Sequence, residues 1–220
     1  MMVLHAVAEQ PCVLSELCER TELPRATAHR LAVGLEVHQM LVRDDAGVWR
    51  LGPVLAALAA NATDAVAEAS GHVLPRLREV TEESVQVYRR EGAQRICIAS
   101  AEPPTGLRDT VPVGTVLPMT RGSGAKVLLA WSDPMTQRSI LADSVFTERQ
   151  LAEVRRRGWA QSVAERETGV ASVSAPIRDA GGHVVAAISV SGPVDRIGRR
   201  PGGRWAADLL AAAEAIHKRL

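Results

Sequence analysis

Arg121-Gly-Ser-Gly-Ala-Lys126 is the string of this 220-residue chain whose residue types come nearest to chemistry. A phosphate loop needs G-x-x-x-x-G-K-[ST], and here Val127 follows the lysine. Ser123 and Lys126 have the S-x-x-K spacing of an acylating serine with a lysine base. No K-T-G accompanies them, however, and Ser132-Asp133 is followed by Pro134 rather than Asn. The chain is therefore read as having no catalytic residues. What the string does supply is a small-residue start to a helix, where free N–H groups at Ser123–Ala125 and the helix dipole favour a carboxylate. His72, His183 and His217 lie far apart without ligand spacing, and Cys12, Cys18 and Cys97 form no C-x-x-C pair. Neither a metal site nor a disulfide framework nor a cofactor is expected.

A second set of polar residues carries helical spacing. At about 100° per residue, Arg25, Ala26, His29, Arg30 and Val33 share one side of a helix, and Ala28, Leu31 and Leu35 the other. Two arginines and a histidine near a helix start suit base edges in the major groove of double-stranded DNA. Thr27 lies at the margin, within reach of a phosphate. Arg43 and Arg50 flank the tip of a hairpin around Asp44-Asp45-Ala46-Gly47, where a wing meets the DNA backbone. Residues 1–52 nevertheless hold five arginines against seven acids, a net charge of −2. One such unit should bind weakly, and a dimer on two half-sites is expected. Aromatic residues make up only 3%, too few for stacking on single strands.

Three short helices and a hairpin must hold this face, which makes residues 1–53 a winged helix-turn-helix. Residues 54–69, which contain an Ala- and Leu-rich run over Val54–Glu68 without Gly or Pro, read as one linker helix. Residues 70–220 alternate strand and helix patterns. Strands are expected at Val85–Arg89, Arg95–Ala101, Thr115–Met119, Ala160–Glu165, Val170–Ile177 and Val184–Ser191. Helices are expected at Val73–Thr81, Ser123–Trp131, Thr147–Arg157 and Arg204–Arg219, with 196–204 as a loop. Three cations at Arg155–Arg157 complement a helix end. Ser189 and Ser191 point to one strand face, as do Ser172 and Ser174. The fold class is α+β. Apolar residues at 46% support a real core, and a net charge of +1 gives no global pull toward membrane or nucleic acid. No run of residues suits a bilayer span, so the chain is expected in the cytoplasm.

Leu23-Pro-Arg-Ala-Thr-Ala-His-Arg-Leu31, Trp49-Arg-Leu-Gly-Pro53, Arg157-Gly-Trp-Ala-Gln-Ser162 and Ala187-Ile-Ser-Val-Ser-Gly-Pro193 together resemble the IclR family of bacterial transcription regulators. Leu107-Arg-Asp-Thr-Val-Pro-Val-Gly114 and Glu165-Arg-Glu-Thr-Gly-Val-Ala-Ser-Val-Ser-Ala-Pro176 are most similar to an actinobacterial branch that controls amino-acid metabolism, notably leucine biosynthesis. The resemblance implies a winged helix, a linker helix, a GAF-like effector domain, and dimers or tetramers. It also implies a small carboxylate or amino-acid effector. Carried over by motif, its site is Ser123, Gly124, Ser162, Ser172, Ser189 and Ser191. The chain departs from the family at Glu22, where the turn usually holds glycine, and its first helix begins almost at Met1, which suggests a start codon further upstream.

Overall fold

The computed structural model describes residues 1–61 and 64–220, with backbone alone for residues 59–61. The chain forms two compact units, Met1–Thr63 and Asp64–Leu220.

The first unit places α1 (Met2–Glu9), α2 (Leu14–Thr21) and α3 (Arg25–Val37) before a hairpin of β1 (Leu41–Arg43) and β2 (Trp49–Leu51). Val3, Val7, Leu17, Ala28, Ala32, Leu41 and Trp49 form its core. Arg20 ties α1 to α2 by donating to the carbonyls of Ala6 at 3.2 Å and Gln10 at 2.7 Å. The buried stripe of α3 differs from the expected one. It runs through Ala28 and Ala32, with Leu35 half-buried, whereas Leu31 remains 45% exposed. Leu31 sits about 60° to one side of Ala28, and two alanines let α3 approach its neighbours closely. Val33, expected on the outer face, is half-buried and packs against the same core.

Turn chemistry sets the hairpin. Asp44 accepts from the N–H groups of Ala46 at 3.1 Å and Val48 at 2.9 Å, and Gly47 takes a φ of 78°. At the hairpin's base, the Gly52 N–H donates to the Met40 carbonyl at 2.8 Å, and a Cβ on Gly52 would overlap the carbonyl of Gln39. Glu22, the non-glycine turn residue, adopts the left-handed φ of 55°. That conformation costs an L-residue about 1–2 kcal/mol, partly offset by glycine's greater loss of freedom on folding. Glu22→Gly should therefore stabilise this unit by up to about 1 kcal/mol; an unchanged or lower unfolding midpoint would contradict it.

The expected single linker helix is not one helix. Among the described residues, α4 (Pro53–Asn61) belongs to the first unit and α5 (Ala65–Gly71) to the second, while residues 62–63 lie outside the described residues. Asp64 is extended, at φ −98° and ψ 101°, and caps α5 through the N–H groups of Val66 and Ala67. Its carboxylate also pairs with Arg89 at 2.6 Å. Burial pushes the Asp64 carboxyl up, but Arg89 and the capping N–H groups outweigh it and hold the group below its ordinary range. An aspartate with such partners starts a helix.

The second unit is built on a six-stranded antiparallel sheet in the order β5-β4-β3-β8-β7-β6. The strands are β3 (Ser84–Glu91), β4 (Gln94–Ala101), β5 (Val116–Pro118), β6 (Ala160–Val163), β7 (Val170–Arg178) and β8 (Val184–Pro193). Alternation divides the sheet. Val85, Val87, Val173, Ile177, Ile188 and Val190 face α6 (Leu74–Thr81) and α11 (Pro201–His217), whose Leu74, Leu77, Trp205, Leu209 and Ile216 complete that core. The opposite face is covered by α7 (Ser123–Ala130) and α9 (Glu148–Arg157) around Leu129, Leu151 and Val154. Capping at Thr147 with Gln150, and a left-handed Gly158, bound α9 where the sequence signals lie.

Two further differences are instructive. Helix α8 (Pro134–Leu141) was not anticipated, although Asp133 caps it and Pro134 opens it. Residues 196–204 are largely helical rather than a loop: they include the end of α10 (Val194–Ile197) and the start of α11. Gly202 suits helix α11 because a Cβ there would overlap the Trp159 ring, and its N–H donates to Gln161 Oε1 at 3.1 Å. Arg196 is fixed by two bonds to the buried Glu83, at 2.5 and 2.7 Å.

Candidate functional site

The first unit offers a surface. Arg25, Ala26, His29 and Arg30 are exposed along α3, with Thr27 half-buried at its edge. Arg43 and Arg50 are exposed on the two strands of the hairpin. Arg43 stacks over Trp49 at 5.4 Å, and Arg50 pairs with Asp44 at 3.4 Å across the turn. All seven residues singled out in the sequence are thus at least partly accessible.

The second unit offers a cavity beneath the start of α7. Register brings the serines together: Ser162 faces Ser172 across β6 and β7, while Ser172 faces Ser191 and Ser174 faces Ser189 across β7 and β8. Gln86 of β3 stands opposite Ser189 on the far side. From above, Ser123 Oγ reaches Ser172 Oγ at 2.6 Å and Ser174 Oγ at 2.7 Å. Ser162 meets Ser172 at 2.9 Å, and Ser174 meets Ser189. Five hydroxyls are therefore joined by four bonds. Each hydroxyl has one proton, so one O–H of the chain is left to donate elsewhere. Ser191 is occupied as well, with Gln86 Oε1 at 3.0 Å. Gly124 comes within reach of Ser189 and Tyr88: a Cβ there would lie 3.5 Å from the hydroxyl and 3.3 Å from the ring.

A carboxylate already sits beside the start of α7, on the N–H of its cap residue rather than on those of Ser123–Ala125. Glu165 Oε2 accepts from the Gly122 N–H at 3.0 Å, and its Oε1 pairs with Lys126. Lys126, 4% exposed, also donates to the Gln161 carbonyl at 3.0 Å and lies over Phe146. Ser123 and Lys126 therefore have separate partners, which is not the geometry of a serine with its base.

Sequence reasoning missed the charged lining. Tyr88, Gln86, Arg95, Asp109 and Arg166 close around the same serines and leave about 20 Å³ of free space, room for about one water. Arg166 pairs with Asp109 at 2.5 Å; burial lowers its pKa, and Asp109 outweighs that effect and raises it. Arg95 is 2% exposed, stacks over Tyr88 at 5.3 Å and donates to the Pro118 carbonyl. Burial pulls its pKa down to about 10, so it is still a cation at pH 7. Among the described residues, Arg95 Nε and Gln86 Nε2 have no hydrogen-bond partner, nor does Ser84 Oγ. An arginine at the head of an apolar strand was the one signal available. Asp109 and Arg166 are 57 positions apart, and no local pattern links them.

Comparison with known proteins agrees with both halves. Residues 1–45 match the IclR helix-turn-helix domain, and residues 59–218 match the bacterial transcriptional regulator IclR C-terminal family. The glycerol operon regulatory protein of Streptomyces coelicolor is 29% identical over 96% of this chain and 88% of its own length. The HTH-type transcriptional regulator BhcR of Paracoccus denitrificans is 28% identical over 84% of this chain and 72% of its own. An IclR homolog from Microbacterium hydrocarbonoxydans, solved in complex with 4-hydroxybenzoate, has the same fold at a TM-score of 0.71 and 23% identity, covering 100% of this chain and 98% of that one.

Proposed function

The chain belongs to the IclR family of bacterial transcriptional regulators, a DNA-binding regulator with a ligand-binding C-terminal domain, and from this premise we propose how its residues divide the work. Helix α3 enters the major groove, with Arg25, Ala26, His29 and Arg30 toward base edges and Thr27 toward a phosphate. Arg43 and Arg50 on the wing hold the backbone. The observation that carries this reading is the exposed row on α3.

The net charge of −2 over residues 1–52 makes a homodimer or tetramer on two half-sites the working form. No helix among the described residues is long and apolar enough to cross a membrane, which suits a protein that meets its operator in the cytoplasm. The cavity of Ser123, Gly124, Ser162, Ser172, Ser189 and Ser191 takes a small organic acid or amino acid that alters operator affinity. The target genes are those of amino-acid metabolism, leucine biosynthesis foremost. This last assignment rests on the strings Leu107–Gly114 and Glu165–Pro176, since one matched relative is by name a regulator of a glycerol operon.

Genome-wide mapping of bound sites, with and without branched-chain amino acids, tests the whole reading. Sites upstream of leucine genes that shift on supplementation are the expected result. Sites confined to other pathways would remove the leucine assignment, and no specific sites would remove the DNA reading. By reciprocity, the operator must change effector affinity by the factor through which the effector changes operator affinity.

A further inference from the structure

Among the described residues, one cation at the cavity has no counter-ion of its own. Lys126 pairs with Glu165, and Arg166 pairs with Asp109 and with the exposed Glu167. Arg95 has no carboxylate within 4 Å among the described residues, only the Pro118 carbonyl and the face of Tyr88. A cation that is 2% exposed needs an anion, because burying an isolated charge is costly. Two unpartnered donors, Arg95 Nε and Gln86 Nε2, belong to residues lining this space. The carboxylates at the cavity are already engaged with cations, Asp109 with Arg166 and Glu165 with Lys126, and Gln86 Oε1 accepts from Ser191.

We propose that the occupant is a small, singly charged carboxylate without an ammonium group, held through Arg95 and Gln86 rather than at the start of α7, so that the protein separates an organic acid from the α-amino acid of the same skeleton. This rests on the effector reading above and narrows it. One negative charge neutralises Arg95. The ammonium of a zwitterion would lie near Arg95 and Arg166, where each carboxylate already pairs with a cation, and the second charge of a dianion would lack a cation. The free O–H of the serine chain serves a carbonyl or hydroxyl oxygen of the acid, such as one on the carbon next to the carboxylate. Arg95 is the part that yields on binding, because 20 Å³ does not admit such a molecule as the cavity stands. Its guanidinium leaves the Pro118 carbonyl and closes on the carboxylate.

Calorimetric titration of the full-length chain with four-carbon probes tests this. 2-Oxobutanoate should bind roughly tenfold or more tightly than 2-aminobutanoate, and also more tightly than butanedioate and butanamide. Arg95→Met should lose 2-oxobutanoate binding while its ligand-free unfolding midpoint holds or rises, since it removes a charge with no counter-ion. Arg95→Lys, which keeps the charge without Nε, should retain part of the affinity, and it serves as the decisive variant if the methionine protein fails to fold. Equal or tighter binding of 2-aminobutanoate would overturn the charge rule and leave the effector reading standing. So would undiminished 2-oxobutanoate binding by Arg95→Met or Arg95→Lys. If none of the four probes binds the parent, the inference and the effector reading fall together, while operator binding measured on the same preparation still stands or falls alone.

Discussion

Arg30→Ala should weaken operator binding by about 1–3 kcal/mol, a loss of roughly five- to 150-fold, and relax preference at one base position. The side chain is exposed and has no ion-pair partner among the described residues, so its removal should leave stability within about 0.5 kcal/mol. Arg50 supplies the contrast. It is exposed on the wing and loosely paired with Asp44, so Arg50→Ala should weaken every sequence alike and reduce the salt slope by about one. Binding curves against operator and scrambled duplex, each at several salt concentrations, separate the two effects. Unchanged binding by both variants would remove this face from the DNA assignment.

The largest expected effect on stability is at Glu165. Its loss strands Lys126, whose side chain is 5% exposed and keeps only the Gln161 carbonyl and the Phe146 ring, and it frees the Gly122 N–H. Breaking a buried pair from one side costs about 3–5 kcal/mol. Because Glu165 is itself 20% exposed, the lower end applies to Glu165→Ala. The double change Lys126→Met with Glu165→Leu should recover most of the loss, since the paired charges have already given up their hydration to be there. Denaturant unfolding of the second unit is the measurement. A loss below about 1 kcal/mol would mean that the pair behaves as a surface ion pair.

How far the chain could be read in advance depends on how local each cause is. The wing turn was legible because Asp44 and Gly47 act within five residues, and α9 because Thr147, Gln150 and Gly158 bound it from both ends. The serine pairs were legible because period-two alternation holds along any strand. The break at Asp64 was not: an Ala-rich run without Gly or Pro hid an aspartate whose other partner, Arg89, lies 25 residues on. The α3 stripe was misplaced at Leu31 because hydrophobicity alone does not reveal that close approach favours alanine. Arg95 escaped for the plainest reason. Its strand is apolar, and the meaning of a cation there depends on which acids are absent nearby in space.

The serine chain has a property that heavy-atom geometry conceals. Its one free proton belongs to whichever hydroxyl accepts from both directions, or to an end that only accepts. Any of Ser162, Ser172, Ser123, Ser174 and Ser189 can fill that part without an atom other than hydrogen moving. Five such arrangements of similar energy amount to an entropy of up to about 1 kcal/mol at room temperature, which a ligand forfeits when it fixes the proton at one place. In exchange, the same backbone can greet oxygens at different depths of the cavity. A change of effector among descendants of this protein then requires no new serine, only a different resting place for a proton.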